Sequence, residues 1–113
     1  MPLMATDTDD ALYTRQADLC AVFSNPRRLK LLDELTDNEE CTVSELQAAT
    51  GIPQSTVSRH LRRMRDQGVV TKRTDGVYNY YTLADQRVAE GMHLMREVLL
   101  DQLERRDRAA PSQ

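Results

Sequence analysis

From residue 9 onward the chain alternates between stretches whose apolar residues recur every three or four positions and short polar breaks. Leu12, Leu19, Val22 and Phe23 predict an amphipathic helix over 9–23. Ser24-Asn25-Pro26 interrupts it, and Asn25 is placed to cap a second helix with Pro26 at its first position. Leu29, Leu31, Leu32 and Leu35 give that helix a broad apolar face. After the polar run 37–40, Thr42-Val43-Ser44-Glu45 has the form of a capping box and opens a short helix reaching Thr50. Gly51-Ile52-Pro53 predicts a tight turn. A further helix over 53–67 turns Val57, Leu61 and Met64 inward and stops at Gly68. Val69–Arg73 and Val77–Leu83 are β-rich, with Thr74-Asp75-Gly76 between them as a hairpin turn. Val88, Met92, Met95, Leu99 and Leu103 then predict a long helix over 85–106. The sum is a mainly α chain with one small β-hairpin, in the order of a helix-turn-helix followed by a wing.

The 113 residues fit one domain, expected to run over 9–106 between a disordered start (1–8) and a disordered tail (107–113). One Phe and no Trp leave an aliphatic, thin core, which favours burial against a second subunit. Leu12 and Leu19 of the first helix, with Val88, Met92, Met95, Leu99 and Leu103 of the last, form the candidate dimer face. No apolar stretch is long enough to span a bilayer. The acidic start does not read as a signal peptide and two cysteines make no disulfide scaffold, so the expected location is the cytoplasm. There is no nucleophile–base ordering and no phosphate-binding glycine loop, so an enzyme is not expected, and no cofactor is implied.

Charge changes this picture once it is divided along the chain. The formal net charge is −3. Residues 1–50 carry four basic and ten acidic side chains, and residues 74–113 carry five and seven. Residues 51–73 carry six basic groups against Asp66 alone. A cationic stripe on an acidic molecule fits a polyanionic partner. On the helix over 53–67, Gln54, Ser55, Thr56, Ser58, Arg59, His60, Arg62 and Arg63 fill the outward and flanking positions. Amide, hydroxyl and guanidinium groups at the start of a helix suit duplex DNA: bidentate Arg for guanine, Gln for adenine, hydroxyls for phosphates. Lys72, Arg73 and Gly76 would place cations and a tight turn where a wing meets the flanking backbone. The expected partner is double-stranded DNA with an inverted-repeat operator. The competing possibility is a winged-helix adaptor whose basic stripe answers an acidic protein.

The run Ala17-Asp18-Leu19-Cys20-Ala21-Val22-Phe23-Ser24-Asn25-Pro26-Arg27-Arg28-Leu29-Lys30-Leu31-Leu32 resembles the ArsR/SmtB family of winged-helix repressors. So do Thr42–Leu46, Gln54-Ser55-Thr56-Val57-Ser58-Arg59-His60-Leu61, Asp75-Gly76 and Tyr80-Tyr81-x-Leu83, in the family's order and spacing. The resemblance covers residues 16–88. It implies a homodimer packed through its first and last helices, and a repressor released from its operator by an effector.

The resemblance also shows where the chain departs. Metal-sensing members carry cysteine just before the acidic-Leu pair of the first helix-turn-helix helix; here Thr42 and Ser44 stand there, with Cys41 one residue earlier. The family's other site uses Asp, His, His and Glu on the last helix. Asp85 matches, but Arg87, Val98 and Asp101 fill the remaining places, so no metal site of either kind is expected. Glu90, His93 and Glu97 share one helix face and could supply half of an unrelated metal site, although such a face is more often simply solvated. Cys20 and Cys41 remain as candidate effector residues. Cys20 reads as a small core residue or a sensing thiol, whereas Cys41 beside Glu39 and Glu40 is less obviously buried. Together they could form a switchable disulfide, a persulfide bridge or two ligands for arsenite.

Overall fold

The structure, a computed structural model, describes residues 6–109, with side chains from Asp9 onward. The elements are α1 (Thr6–Ala21), a 3-10 turn (Val22–Ser24), α2 (Pro26–Asp37), α3 (Val43–Thr50) and α4 (Gln54–Asp66), then β1 (Val70–Asp75), β2 (Tyr78–Leu83) and α5 (Gln86–Ala109). This is the expected winged helix-turn-helix.

Local chemistry sets most boundaries. The Asn25 side chain accepts from the backbone N–H groups of Arg27 and Arg28 at 2.9 and 3.1 Å, with Pro26 at the first helical position. Thr42 and Glu45 close the reciprocal capping box, at 2.8 and 3.1 Å. Gly51 ends α3 in the left-handed region at φ 75°, where a side chain would be strained.

Three boundaries differ from expectation. α1 begins at Thr6, inside the segment expected to be disordered, because Thr6-Asp7-Thr8-Asp9-Asp10 puts acidic groups at a helix start, where the dipole favours them. α5 continues to Ala109, three residues into the expected tail. No proline interrupts it up to Ala109, and Arg108 pairs with Glu104 one turn earlier at 3.2 Å. The rest of both expected disordered segments, 1–5 and 110–113, lies outside the described residues. The hairpin turn is Gly76-Val77, because Asp75 pairs with Tyr78 as the last rung of the ladder. Gly76 alone takes a positive φ, 63°, as a two-residue turn with glycine first requires.

The core is aliphatic, with Val22, Leu31, Leu32, Leu46, Val57, Leu61, Met64 and Val69 fully buried. It lies between α2, α3, α4 and the inner side of the hairpin, which an isolated bridge between Cys41 and Tyr81 extends beyond β2. Tyr81 donates to Cys41 at 2.8 Å and accepts from it at 3.0 Å. α5 is fastened to α2 by the Arg96–Asp33 ion pair at 3.1 Å. By contrast, every α1 side chain from Ala11 to Cys20 is exposed.

Candidate nucleic-acid interface

α4 is two-faced. Val57, Leu61 and Met64 are wholly buried, whereas Gln54, Ser55, Ser58, Arg59, Arg62, Arg63 and Arg65 are exposed. Among the described residues none of these four arginines lies within 4 Å of a carboxylate. The helix therefore presents amides, hydroxyls and uncompensated guanidiniums on one surface.

Two of the expected outward residues do not sit there. Thr56 is 8% exposed. His60, one turn further along the same flank, is half-buried, because this side of α4 is covered rather than open. Arg28 of α2, which no local pattern in the sequence marks, takes up His60. Arg28 is buried; its Nε donates to the Val22 carbonyl at 2.7 Å, its Nη2 to the Ala21 carbonyl at 3.1 Å, and its Nη1 meets His60 Nδ1 at 3.4 Å. A guanidinium only donates, so Nδ1 accepts and the imidazole proton belongs on Nε2. Burial first, then the charges of Arg28, Arg59, Arg27 and Arg63, hold His60 below its ordinary pKa, so it is neutral near pH 7.

The wing also departs from expectation. Lys72 and Arg73 occupy the middle of β1, opposite Tyr81 and Tyr80, and the tip is Gly76-Val77. Consecutive strand residues face opposite ways, so the two cations do not act together. Arg73 lies 4.6 Å from the centre of the Tyr80 ring and donates to both Glu40 oxygens, at 2.8 and 3.1 Å. That hydrogen bonding lowers the Glu40 pKa and raises that of Arg73. Lys72 is exposed, with no ion pair among the described residues.

The burial of the two thiols is the reverse of the expectation. Cys20 is exposed on α1, and Cys41 is buried against Tyr81. Burial, reinforced by Glu45 and Glu34, pushes the Cys41 pKa up to about 11, so it is a protonated, unreactive thiol at neutral pH. Cys20 instead borders an open apolar groove of about 1030 Å³ between α1 and α5, with Leu19, Phe23, Val88, Met95 and Leu99.

The expected dimer face is divided as well. Met92 is buried and Val88 packs on the protomer's own core, so Met92 is not free for a partner. Leu12, Leu19, Met95, Leu99 and Leu103 are exposed as expected. Tyr13, Leu94, Val98 and Leu100, outside the expected face, are exposed too. At the start of α5, Arg87 grips Asp85 at 2.8 Å and draws its carboxyl down to about 2. Among the described residues no three His, Cys, Asp or Glu side chains converge as metal ligands, so Glu90, His93 and Glu97 form no such group.

Residues 25–72 match the sequence profile of the "Bacterial regulatory protein, arsR family". An uncharacterized HTH-type transcriptional regulator of Methanocaldococcus jannaschii is 33% identical over 86 residues, which are 76% of this chain and 97% of that protein. The chain belongs to the ArsR family. Among other ArsR/SmtB relatives, a transcriptional repressor SmtB homolog of Synechocystis is 39% identical over 84 residues, 74% of this chain and 61% of that protein. The ArsR fold is matched over 92% of this chain, with a TM-score of 0.81 and 31% identity, by a domain from Mycobacterium bovis. That structure, of which 95% is covered, is a homodimeric winged helix-turn-helix DNA-binding domain from a possible ArsR-family transcriptional regulator. No described helix of this ArsR protein is long and apolar enough to cross a membrane.

Proposed function

We propose that this ArsR-family chain is a homodimeric, sequence-specific DNA-binding regulator of transcription, acting as a repressor that an effector releases from an inverted-repeat operator in the cytoplasm. The observation that carries this reading is the surface of α4, where four exposed arginines, without carboxylate partners among the described residues, stand among Gln54, Ser55 and Ser58. Gln54, Ser55, Ser58 and Arg59 would read base edges, and Arg62, Arg63 and Lys72 would hold phosphates, with Gly76 bringing the wing backbone close. The repressor name of the Synechocystis relative and the homodimeric state of the Mycobacterium bovis domain support the same reading. The uncovered apolar residues of α1 and α5 suit a partner subunit, which would set two α4 helices about 34 Å apart, one DNA turn. No catalytic role enters this reading. An effector acting on the protein's own thiols would act at Cys20, which is exposed on the single protomer beside the α1/α5 groove, rather than at the buried Cys41.

The test is fluorescence anisotropy with operator and random duplexes at several salt concentrations. A steep negative dependence of log affinity on log salt, with tighter binding to the operator, is expected. Salt-insensitive or absent binding would leave the protein-adaptor alternative.

A further inference from the structure

Arg28 is a buried cation with no acidic partner among the described residues. The partners of its side chain are neutral and lie outside α2. Its Nη2 donates to the carbonyl of Ala21, the last residue of α1, and its Nε to that of Val22, the first of the 3-10 turn. The Ala21 carbonyl also accepts from Ser24 Oγ at 2.6 Å, so the end of α1 is capped twice. On the other side, Arg28 Nη1 faces Nδ1 of His60, in the middle of α4, at 3.4 Å. One side chain of α2 thus joins the end of the first helix to the helix that carries the basic surface.

This joint differs in kind from the packing around it. Val57, Leu61 and Met64 seat α4 on the core by apolar contact, which is non-directional and tolerates small rotations and slides. A hydrogen bond to a ring nitrogen fixes angle as well as distance. The bond also depends on protonation. A guanidinium has only N–H groups to offer, so Nδ1 must keep its lone pair. With a second proton the imidazole would set a cation against a buried cation that has no carboxylate beside it. Burial opposes that proton first, then the charges acting on the ring from α2 and α4, namely Arg28, Arg59, Arg27 and Arg63, all of them positive.

We propose that Arg28 is a positioning residue for operator recognition, holding α4 at one angle to the end of α1 through the neutral imidazole of His60, and that protonation of His60 releases it. This inference rests on the DNA-binding reading and adds to it how α4 is aimed. Arg28 itself, being buried, meets no phosphate. Its effect falls on the operator, where several groups of α4 must reach base edges together, and spares mixed sequence, where the contacts are to phosphates. The neutral state of His60 holds at and above the ordinary value of 6.5 and is lost as pH falls through the depressed one.

The experiment is an anisotropy titration of the full-length protein with two duplexes of equal length, one selected by the wild type from a randomised pool and one of mixed sequence. Equal length cancels the general attraction of any added positive charge, so the readout is the ratio of the two affinities. At about pH 7.5 the proteins compared are wild type, His60→Asn, His60→Leu, Arg28→Lys and the double variant Arg28→Lys/His60→Leu. Asn offers an acceptor oxygen near the Nδ1 position and does not titrate, whereas Leu offers none. His60→Asn should keep the wild-type ratio. His60→Leu should lower it and leave mixed-sequence affinity unchanged. Arg28→Lys should lower it in the wild type and add nothing in the His60→Leu background. An equal loss in both backgrounds would make Arg28 a support of the fold alone and overturn the proposal. Wild type and His60→Asn are then followed down to about pH 5.5. The wild-type ratio should fall below about pH 6.5, by up to about tenfold per pH unit for each titrating copy, and stay level in His60→Asn. A level wild-type ratio would overturn the proposal, as would a fall that survives in His60→Asn, which would belong to His93 or another group. A wild type that selects no duplex from the pool would overturn the DNA-binding reading as well.

Discussion

Arg73 and Glu40, 33 residues apart in sequence, form a two-pronged ion pair across the face of the Tyr80 ring. The wing guanidinium that the sequence offers to DNA is thus already held by the protein's own carboxylate. Its release requires a competing phosphate or the loss of Glu40's charge. Glu40→Gln is therefore expected to strengthen binding to every duplex and to steepen the salt slope by about 0.9 per freed contact. A titration in which Glu40→Gln matches wild type would show that Arg73 stays away from DNA even when free. The pair's sign with pH is fixed: the Glu40 pKa is lowered by Arg73, so the pair persists above the ordinary carboxylate range and is lost as pH falls through the depressed value.

Base discrimination is expected to reside in α4 and general affinity in the wing. Arg59→Ala should cost about 1–3 kcal/mol on the operator and narrow the gap between operator and random duplex. Lys72→Ala should weaken both alike. Competition binding with the two duplexes separates the outcomes, and an unchanged operator preference in Arg59→Ala would contradict the assignment.

Two methionines one turn apart on α5 should behave oppositely. Met92 is 6% exposed and Met95 is 68% exposed. Met92→Ala should destabilise the protein by about 2–5 kcal/mol, as truncation of a buried side chain does. Met95→Glu should leave the core around α2, α3 and α4 folded and weaken self-association. Sedimentation equilibrium together with denaturant titration distinguishes these effects; a Met95→Glu dimer as tight as wild type would place the interface elsewhere.

Cys41 should make stability fall on the alkaline side. Its folded pKa is about 11, whereas an unfolded thiol titrates near 8.5, so the folded state holds a proton that the unfolded state releases. The contribution is complete below about pH 8.5 and declines as pH rises toward 11, by up to about 1.4 kcal/mol per pH unit. Cys41→Val should flatten the stability profile between those limits relative to wild type. In the native protein at neutral pH, iodoacetamide should leave Cys41 intact until unfolding. Rapid alkylation of native Cys41 would contradict its burial.

What could be read from the sequence was local. The Asn25–Pro26 start, the Thr42–Glu45 box and the Val57-Leu61-Met64 stripe each lie within a turn or two of helix, where spacing determines structure. The hairpin was legible but its turn was misplaced by one position, since Asp75 and Gly76 both tolerate turn conformations and only the ladder decides which closes it. The pairings that define the candidate site were not legible. Arg28 meets His60 from 32 residues away, and Arg73 meets Glu40 from 33. No periodicity encodes those distances. The burial of Cys20 and Cys41 is not legible for the same reason: Cys41 is buried where its backbone bridges to Tyr81, and a bridge between distant segments leaves no local mark.

The exposure of α1 has a consequence for what this chain is at different abundances. A helix of 16 residues with its side chains from Ala11 to Cys20 in water is marginal by itself. A second copy packed on it would supply the missing contacts, so its helical order is expected to weaken on dilution. Thermal midpoint and helical content then become functions of concentration rather than constants of the molecule. A newly made chain, scarce among its own kind, would begin incompletely folded, and would acquire its first helix only once enough copies had accumulated to meet.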